Sequence, residues 1–138
     1  MPGNNFPSPQ GGDKTTVVGF TVKPGGQIQV MPTRFFVRKR QIVLWIVGNE
    51  STVQIDVNLE GFTLGNQPIV PDPFDWITAL PKVRVDPGQI GFIAGILSDN
   101  YNKQAFIGPD RVNYSIRVHA TGGTFPDQVH DPDGDIKP

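Results

Sequence analysis

Alternation of apolar and polar side chains with a period of two residues is the feature that most constrains how this chain folds. In residues 52–60 every second side chain is apolar: Val53, Ile55, Val57 and Leu59. Residues 17–23 and 111–120 repeat the pattern. Because successive side chains of a strand point to opposite faces, the pattern predicts strands with one buried face and one face in water.

One segment departs from this alternation. Residues 42–47, Ile-Val-Leu-Trp-Ile-Val, are apolar at every position. A short run of this kind, rich in β-branched residues, is typical of a central strand that is covered on both faces. We therefore expect it to form the spine of the core, buried from both sides.

Two turns are predicted from the order of their residues. Residues 23–26 and 86–89 each carry Pro at the second position and Gly at the third. That order favours a type II turn, because Pro presets φ and Gly adopts a positive φ at little cost. The first turn joins residues 17–23 to 27–31, and the second joins 82–86 to 89–97.

The whole pattern predicts an all-β domain. About seven or eight strands are separated by turn signals, 16 Gly and 14 Pro disfavour long helices, and no segment has a helical period. A length of 138 residues is typical of one domain with its own core. We predict an antiparallel β-sandwich with Greek-key connections, or a small barrel, over residues 15–120.

Both ends are poor in apolar side chains. Residues 1–14 contain one large apolar side chain, Phe6, and residues 121–138 are acidic and interrupted by Gly and Pro. Such segments bury too little to fold alone, so we predict extended N- and C-terminal arms. Arms with isolated anchors, Phe6 in one and Phe125 or Val129 in the other, are suited to lying across a neighbouring subunit.

Two connections, residues 60–81 and 98–110, are longer than a hairpin needs and carry apolar or aromatic side chains. Long loops in compact domains are often functional. With the arm anchors, the predicted partner-binding residues are Phe6, Phe74, Trp76, Ile77, Tyr101, Phe106, Ile107, Phe125 and Val129.

Charge and composition exclude several functions. With 12 basic and 13 acidic residues, the chain has no net field that would attract nucleic acid. The cations and aromatics of residues 34–40 are interpreted as a strand with a charged edge rather than a nucleic-acid strip. The first residues lack a secretion signal and no later stretch is long enough to span a bilayer, so we expect a soluble product whose compartment stays open.

No residue pattern predicts a cofactor or a catalytic site. The absence of cysteine excludes disulfides and thiolate ligands. Asp131, Asp133 and Asp135 could gather calcium, but their spacing is not that of an EF-hand and a solvated acidic turn is favoured. His119 and His130 have no nucleophile at a useful spacing, so we predict no enzyme.

Four motifs resemble the cupredoxin-like β-sandwich across residues 17–120. They are the tryptophan strand of residues 43–49, the Gly-Phe pair at 61–62, the segment before the Pro-Gly turn at 83–88, and the final Tyr-x-x-x-Val strand at 114–118. Each motif also fits immunoglobulin-like sandwiches. The copper site of cupredoxins requires two imidazoles and a thiolate. This chain has no cysteine, so the resemblance implies the scaffold without electron transfer.

Three functional hypotheses follow. The first is a non-catalytic structural or accessory subunit that docks into a larger protein assembly, or a homo-oligomer, through its arms and long apolar loops. The second is a carbohydrate-binding module in which Trp76 and Tyr101 stack on sugar rings. The third is a cupredoxin-like protein that holds a metal weakly through His119 and His130.

Overall fold

A computed structural model of the chain describes residues 15–31, 34–38, 40–64, 67–68, 74–97 and 110–136. Within these residues the chain forms twelve strands. They are β1 (Thr15–Val22), β2 (Ile28–Met31), β3 (Arg34–Val37), β4 (Ile42–Asn49), β5 (Ile55–Leu64), β6 (Gln67–Pro68), β7 (Phe74–Trp76), β8 (Lys82–Val85), β9 (Ile90–Leu97), β10 (Asp110–Ala120), β11 (Gln128–His130) and β12 (Asp133–Ile136).

The strands form two sheets. Sheet 1 has five strands in the order β2-β1-β4-β9-β7. Sheet 2 has seven: β3, β12, β10, β5 and β6 follow one another, β11 pairs with β10, and β8 pairs with β5. Buried side chains from both sheets form one core. The chain is therefore an all-β sandwich, as its alternating strands predict.

Two parallel pairs add to the antiparallel arrangement that the sequence indicated. Strand β1 runs parallel to β4 in sheet 1, and β12 runs parallel to β3 in sheet 2. Parallel neighbours need a crossover between them rather than a tight hairpin. Between β1 and β4 the chain passes through β2 and then through β3 in sheet 2, which supplies that crossover.

Both type II turns are confirmed. Gly25 has φ of 86° and Gly88 has φ of 75°, the left-handed region that this position requires. The N–H of Gly26 donates to the carbonyl of Lys23 at 2.9 Å, and that of Gln89 donates to Asp86 at 3.1 Å. The first turn makes the β1–β2 hairpin, whereas the second carries the chain from β8 in sheet 2 to β9 in sheet 1.

The C-terminal segment differs from the predicted arm. Strand β12 lies inside sheet 2, between β10 and β3, and β11 pairs with the other half of β10. Backbone hydrogen bonds to neighbours on both sides stabilise β12, so it needs few apolar side chains of its own. Gly134 allows this packing, because a Cβ at that position would overlap the ring of Phe35.

The connection over residues 60–81 also contains strands. Strand β5 continues to Leu64, β6 pairs with its end, and β7 pairs with β9 at the edge of sheet 1. The predicted N-terminal arm, residues 1–14, lies outside the described residues, as does most of the second connection, residues 98–109.

An aromatic cluster joins the two sheets at the centre of the core. Neighbouring rings of this cluster have their centroids 5.4–6.3 Å apart, and its members are Phe35, Trp45, Phe62, Phe74, Trp76 and Tyr114. Trp45 of β4 donates its indole N–H to the hydroxyl of Tyr114 of β10 at 2.9 Å. Burial raises the pKa of Tyr114, so its hydroxyl stays protonated and the sheets are joined by a neutral hydrogen bond.

Candidate docking face

The three central strands of sheet 1 contain no ionisable residue. The sequences of β1, β4 and β9 are TTVVGFTV, IVLWIVGN and IGFIAGIL. Inward residues such as Val18, Trp45 and Ile93 are buried in the core. The outward residues of these strands form what we call the apolar face: Thr15, Val17, Gly19, Thr21, Ile42, Leu44, Ile46, Gly48, Ile90, Phe92, Ala94 and Ile96.

The register of the strands makes the apolar face continuous. One row across the sheet joins Val17, Leu44 and Ala94, and the next joins Gly19, Ile46 and Phe92. Residues paired in this way lie side by side on the same face of a sheet. The apolar side chains therefore form one patch.

Large parts of this patch are open to solvent. Ile90 is 74% exposed, Phe92 56% and Val17 47%. Ile77 is 54% exposed and its N–H donates to the carbonyl of Ala94 at 2.8 Å, which places it at the border of the face. Monomeric proteins seldom leave a large contiguous apolar patch in water, and such a patch marks a contact surface.

The partial exposure of sheet 1 corrects the expectation that both sides of β4 are covered. Val43, Trp45 and Val47 are buried, but Ile42, Leu44 and Ile46 are only partly buried. The fold has two layers, and the described residues include no third layer outside sheet 1. The second apolar side of β4 lies on the apolar face.

A depression of about 460 Å³ interrupts the apolar face where β1 and β4 end and β9 begins. It is lined by Gly19, Phe20, Thr21, Gln29, Ile46, Gly48 and Ile90. A Cβ built on Gly48 would meet no atom within 4 Å. We call this depression the glycine notch.

The outer surface of sheet 2 is polar and ion-paired. We call it the charged face, and its main members are Asp56, Glu60, Arg84, Arg117, His119 and Asp127. Arg84 contacts both carboxylate oxygens of Asp56, at 2.8 and 3.1 Å. The hydrogen bond from Arg84 is the main reason that the pKa of Asp56 is lowered, and Asp56 in turn raises the pKa of Arg84.

Several predicted partner-binding residues lie in the core or on sheet 2. Phe74 is buried in the aromatic cluster, where its ring contacts Trp45. Trp76 is partly buried against Trp45 and Phe62, which makes it part of the core rather than a free stacking platform. Phe125 packs on the core at Gly26, and Val129 is exposed on the charged face.

Four predicted residues, Phe6, Tyr101, Phe106 and Ile107, lie outside the described residues. Ile77 is the one predicted residue that borders the apolar face among those that the structure describes. Residues such as Ile90 and Phe92 were missed as site residues because residues 89–97 were considered only as a strand that follows the second Pro-Gly turn. The signal was present in the sequence, since β9 is apolar at outward as well as inward positions.

The two histidines face opposite sides of sheet 2. His119 lies on the charged face, where its Nδ1 is 2.7 Å from an oxygen of Asp127. His130 pairs with Ile116, an inward residue, which places it on the other side. In the described part of the chain no group of three or more His, Cys, Asp or Glu side chains could hold a metal ion. Asp131 instead accepts a hydrogen bond from Ser115 at 2.7 Å.

Comparisons with known proteins identify the fold and no family. No protein-family model matches the chain, and no curated protein matches it. Among solved structures, the chain is similar to the CsuC–CsuE chaperone–tip adhesion subunit pre-assembly complex of Acinetobacter baumannii, with a TM-score of 0.57 and 8% identity. That match covers 77% of this chain and 54% of the other, so this chain spans about half the length of its neighbour.

Two further neighbours have lower scores. The human CEP192 PapD-like domain 7 has a TM-score of 0.49 and 10% identity, covering 97% of this chain and 90% of that domain. The McoA multicopper oxidase of Aquifex aeolicus has a TM-score of 0.46 and 14% identity, covering 96% and 31%. The chain has the β-sandwich scaffold that the sequence predicts.

Proposed function

We propose that this protein is a non-catalytic structural subunit that packs its apolar face against another protein subunit. The observation that carries the proposal is the contiguous apolar patch on β1, β4 and β9, where no side chain is ionisable. Exposing such a patch costs free energy in proportion to its apolar area, and a protein partner removes that area from water. A polar opposite face keeps the rest of the domain in solvent.

The proposal changes where docking occurs. Docking was predicted through the arms and long loops, but β11 and β12 belong to sheet 2 and Phe74 belongs to the core; the predicted residues Phe6, Tyr101, Phe106 and Ile107 lie outside the described residues. Among the described residues, the apolar face is the main contact surface that we propose. The neighbour from Acinetobacter baumannii, named as a chaperone–tip adhesion subunit pre-assembly complex, supports the proposal because a chain of similar fold there belongs to a protein complex.

A matched pair of substitutions tests this proposal. Val17 on the apolar face and Val129 on the charged face are both 47% exposed, so Val17→Arg and Val129→Arg introduce the same change at equal exposure. The full chain, tagged and expressed in its source cells, is cross-linked in the intact cells, so that weak complexes survive dilution, and is then examined for mass by size-exclusion chromatography and mass spectrometry. We expect the wild type and Val129→Arg to elute well above 15.1 kDa, and Val17→Arg to lose its partner because a charge cannot be buried unpaired in an apolar contact.

Thermal unfolding of the three purified proteins is the control for folding. Both valines are half exposed, so neither arginine should lower the Tm by more than a few degrees. Elution of the wild type near 15.1 kDa from source cells would contradict the proposed function. Equal loss of association in both variants would also contradict it, because the apolar face would then have no special role.

A further inference from the structure

The size of the apolar face matches one half of a small specific interface. Strands β1, β4 and β9 each have eight residues, so they cover about 26 Å along the strands and about 14 Å across them. With the flanks at β2 and β7, where Gln29 and Asp75 lie outward at the rim of the face, a contact there would bury about 500 Å² per partner, or about 1,000 Å² in total. That total is close to the lower bound for a stable protein interface.

The charge of the face restricts what can cover it. A partner surface that buried an ionised group against β1, β4 and β9 would meet no counter-ion there, and that burial would be unfavourable. The partner must therefore present a neutral apolar surface of similar extent. Within the described part of this molecule, the apolar face itself is such a surface, whereas the charged face is not.

The apolar face carries both a protruding ring and a depression that a ring could enter. Phe92 is a large exposed side chain of β9, in the same row across the sheet as Ile46 and Gly19, which both line the glycine notch. When two copies of one surface meet about a two-fold axis the contacts are reciprocal, so if residue i of one copy contacts residue j of the other, j also contacts i. An axis passing between Phe92 and the glycine notch lets each ring enter the notch of the opposite copy.

We infer that two copies of this chain pack apolar face against apolar face about a two-fold axis, with Phe92 of each copy seated in the glycine notch of the other. Two twisted sheets pack in this way about 10 Å apart with their strands inclined by about 30°. The inference rests on the proposed function, since it names the partner of the same face. The charged faces then form both outer surfaces of a four-layer dimer.

Filling the notch is the most specific test. Gly48 has open space around a built Cβ and no positive φ, so Gly48→Leu is compatible with the fold but occupies the space that Phe92 needs. Gly122→Leu is the matched control, because Gly122 also has no positive φ and no close neighbour and lies in a turn after β10. Sedimentation equilibrium of the purified full chains, followed by thermal unfolding, measures both association and folding.

We expect the wild type to reach twice 15.1 kDa with a dimer Kd of about 1–100 µM, the range of small interfaces. Gly48→Leu should raise that Kd at least about tenfold, and Gly122→Leu should leave it within about twofold. Val17→Arg should also raise it, and Val129→Arg should not.

Four results would overturn the inference. One is a wild type that stays at 15.1 kDa up to about 1 mM. Another is a dimer that is unaffected by both Gly48→Leu and Val17→Arg. The third is a monomer that sediments with phosphatidylcholine vesicles and loses this binding in Val17→Arg, which would assign the face to lipid. A purified monomer that still forms a large particle in source cells would overturn the homodimer while leaving the proposed function standing.

Discussion

The apolar face and the charged face lie on opposite sides of the same core, and their outward residues differ in polarity. On sheet 2, β5 places Asp56, Asn58 and Glu60 outward, where they pair with Arg84 and Arg117. On sheet 1, β4 places Ile42, Leu44 and Ile46 outward. An antiparallel sheet that faces water normally alternates apolar inward and polar outward residues. Strand β5 follows that rule, whereas the central strands β1, β4 and β9 of sheet 1 depart from it and only the edge strands of that sheet place a strongly polar residue outward, Gln29 on β2 and Asp75 on β7, in the part of the chain that the structure describes.

This difference separates two demands on the sequence. Inward residues of both sheets stabilise the fold, because they form the common core. The charged outward residues of β5, β8 and β10 are satisfied by water and by each other. The apolar outward residues of β1, β4 and β9 gain nothing from water, and their apolar character is explained by contact with another surface.

The largest predicted effect comes from removing the most exposed ring of the apolar face. Phe92→Ser should leave the monomer folded, because Phe92 is 56% exposed and its inward neighbour Ile93 stays in the core. It should weaken association by about 2–3 kcal/mol, since full burial of a Phe side chain is worth about 1.5–3 kcal/mol and a two-fold contact loses the burial of the exposed half of two of them. Isothermal dilution calorimetry of the purified wild type and variant measures this change in the free energy of association.

Phe36→Ser is the control for that substitution. Phe36 of β3 is 51% exposed and belongs to sheet 2, so its loss should leave the dimer Kd within about threefold. Equal weakening by both substitutions would remove the distinction between the two faces.

A smaller effect is expected on the charged face, and it concerns stability alone. Asp56→Asn removes the ion pair with Arg84 and should destabilise the fold at neutral pH by about 0.2–1 kcal/mol, the range for exposed pairs. The pKa of Asp56 is lowered in the folded state from its ordinary value of 3.8. Its contribution is therefore present above that value and is lost as the pH falls below it toward the folded-state pKa.

Urea unfolding of the wild type and of Asp56→Asn at several pH values measures this contribution. The difference in unfolding free energy between them should be constant from neutral pH to about pH 5 and should shrink below about pH 4. A difference that grew on acidification would have the wrong sign for a lowered carboxyl pKa. Association should not change in this variant, because Asp56 lies on the charged face.

Strands with two different faces could be predicted from the sequence. Residues 52–60 and 111–120 became β5 and β10 because their apolar side meets the core and their polar side meets water, and both environments belong to this chain. The Pro-Gly turns were also predictable, since the positive φ of Gly25 and Gly88 is a local requirement. No other part of the molecule is needed to specify either feature.

Features that depend on distant neighbours could not be predicted in this way. The apolar run at residues 42–47 indicates that both sides of β4 are covered, but it does not distinguish a third layer of this chain from another molecule. Gly134 appeared to be a residue of a loose tail, whereas it is the position where β12 passes beside Phe35. Composition records how many apolar side chains a segment has, but not how many strands lie next to it.

The smallest predicted effect is the response of association to salt. Raising NaCl from about 0.1 M to about 1 M shortens the Debye length from about 10 Å to about 3 Å, which weakens contacts between exposed charges. An interface formed by β1, β4 and β9 contains no ionisable residue from these strands, so the dimer Kd should change by less than about threefold or become tighter. Sedimentation of the purified chain at both salt concentrations measures it. Dissociation of the dimer at high salt would indicate that the copies meet through the charged face, because ion pairs such as Arg117–Glu60 are the contacts that salt screens.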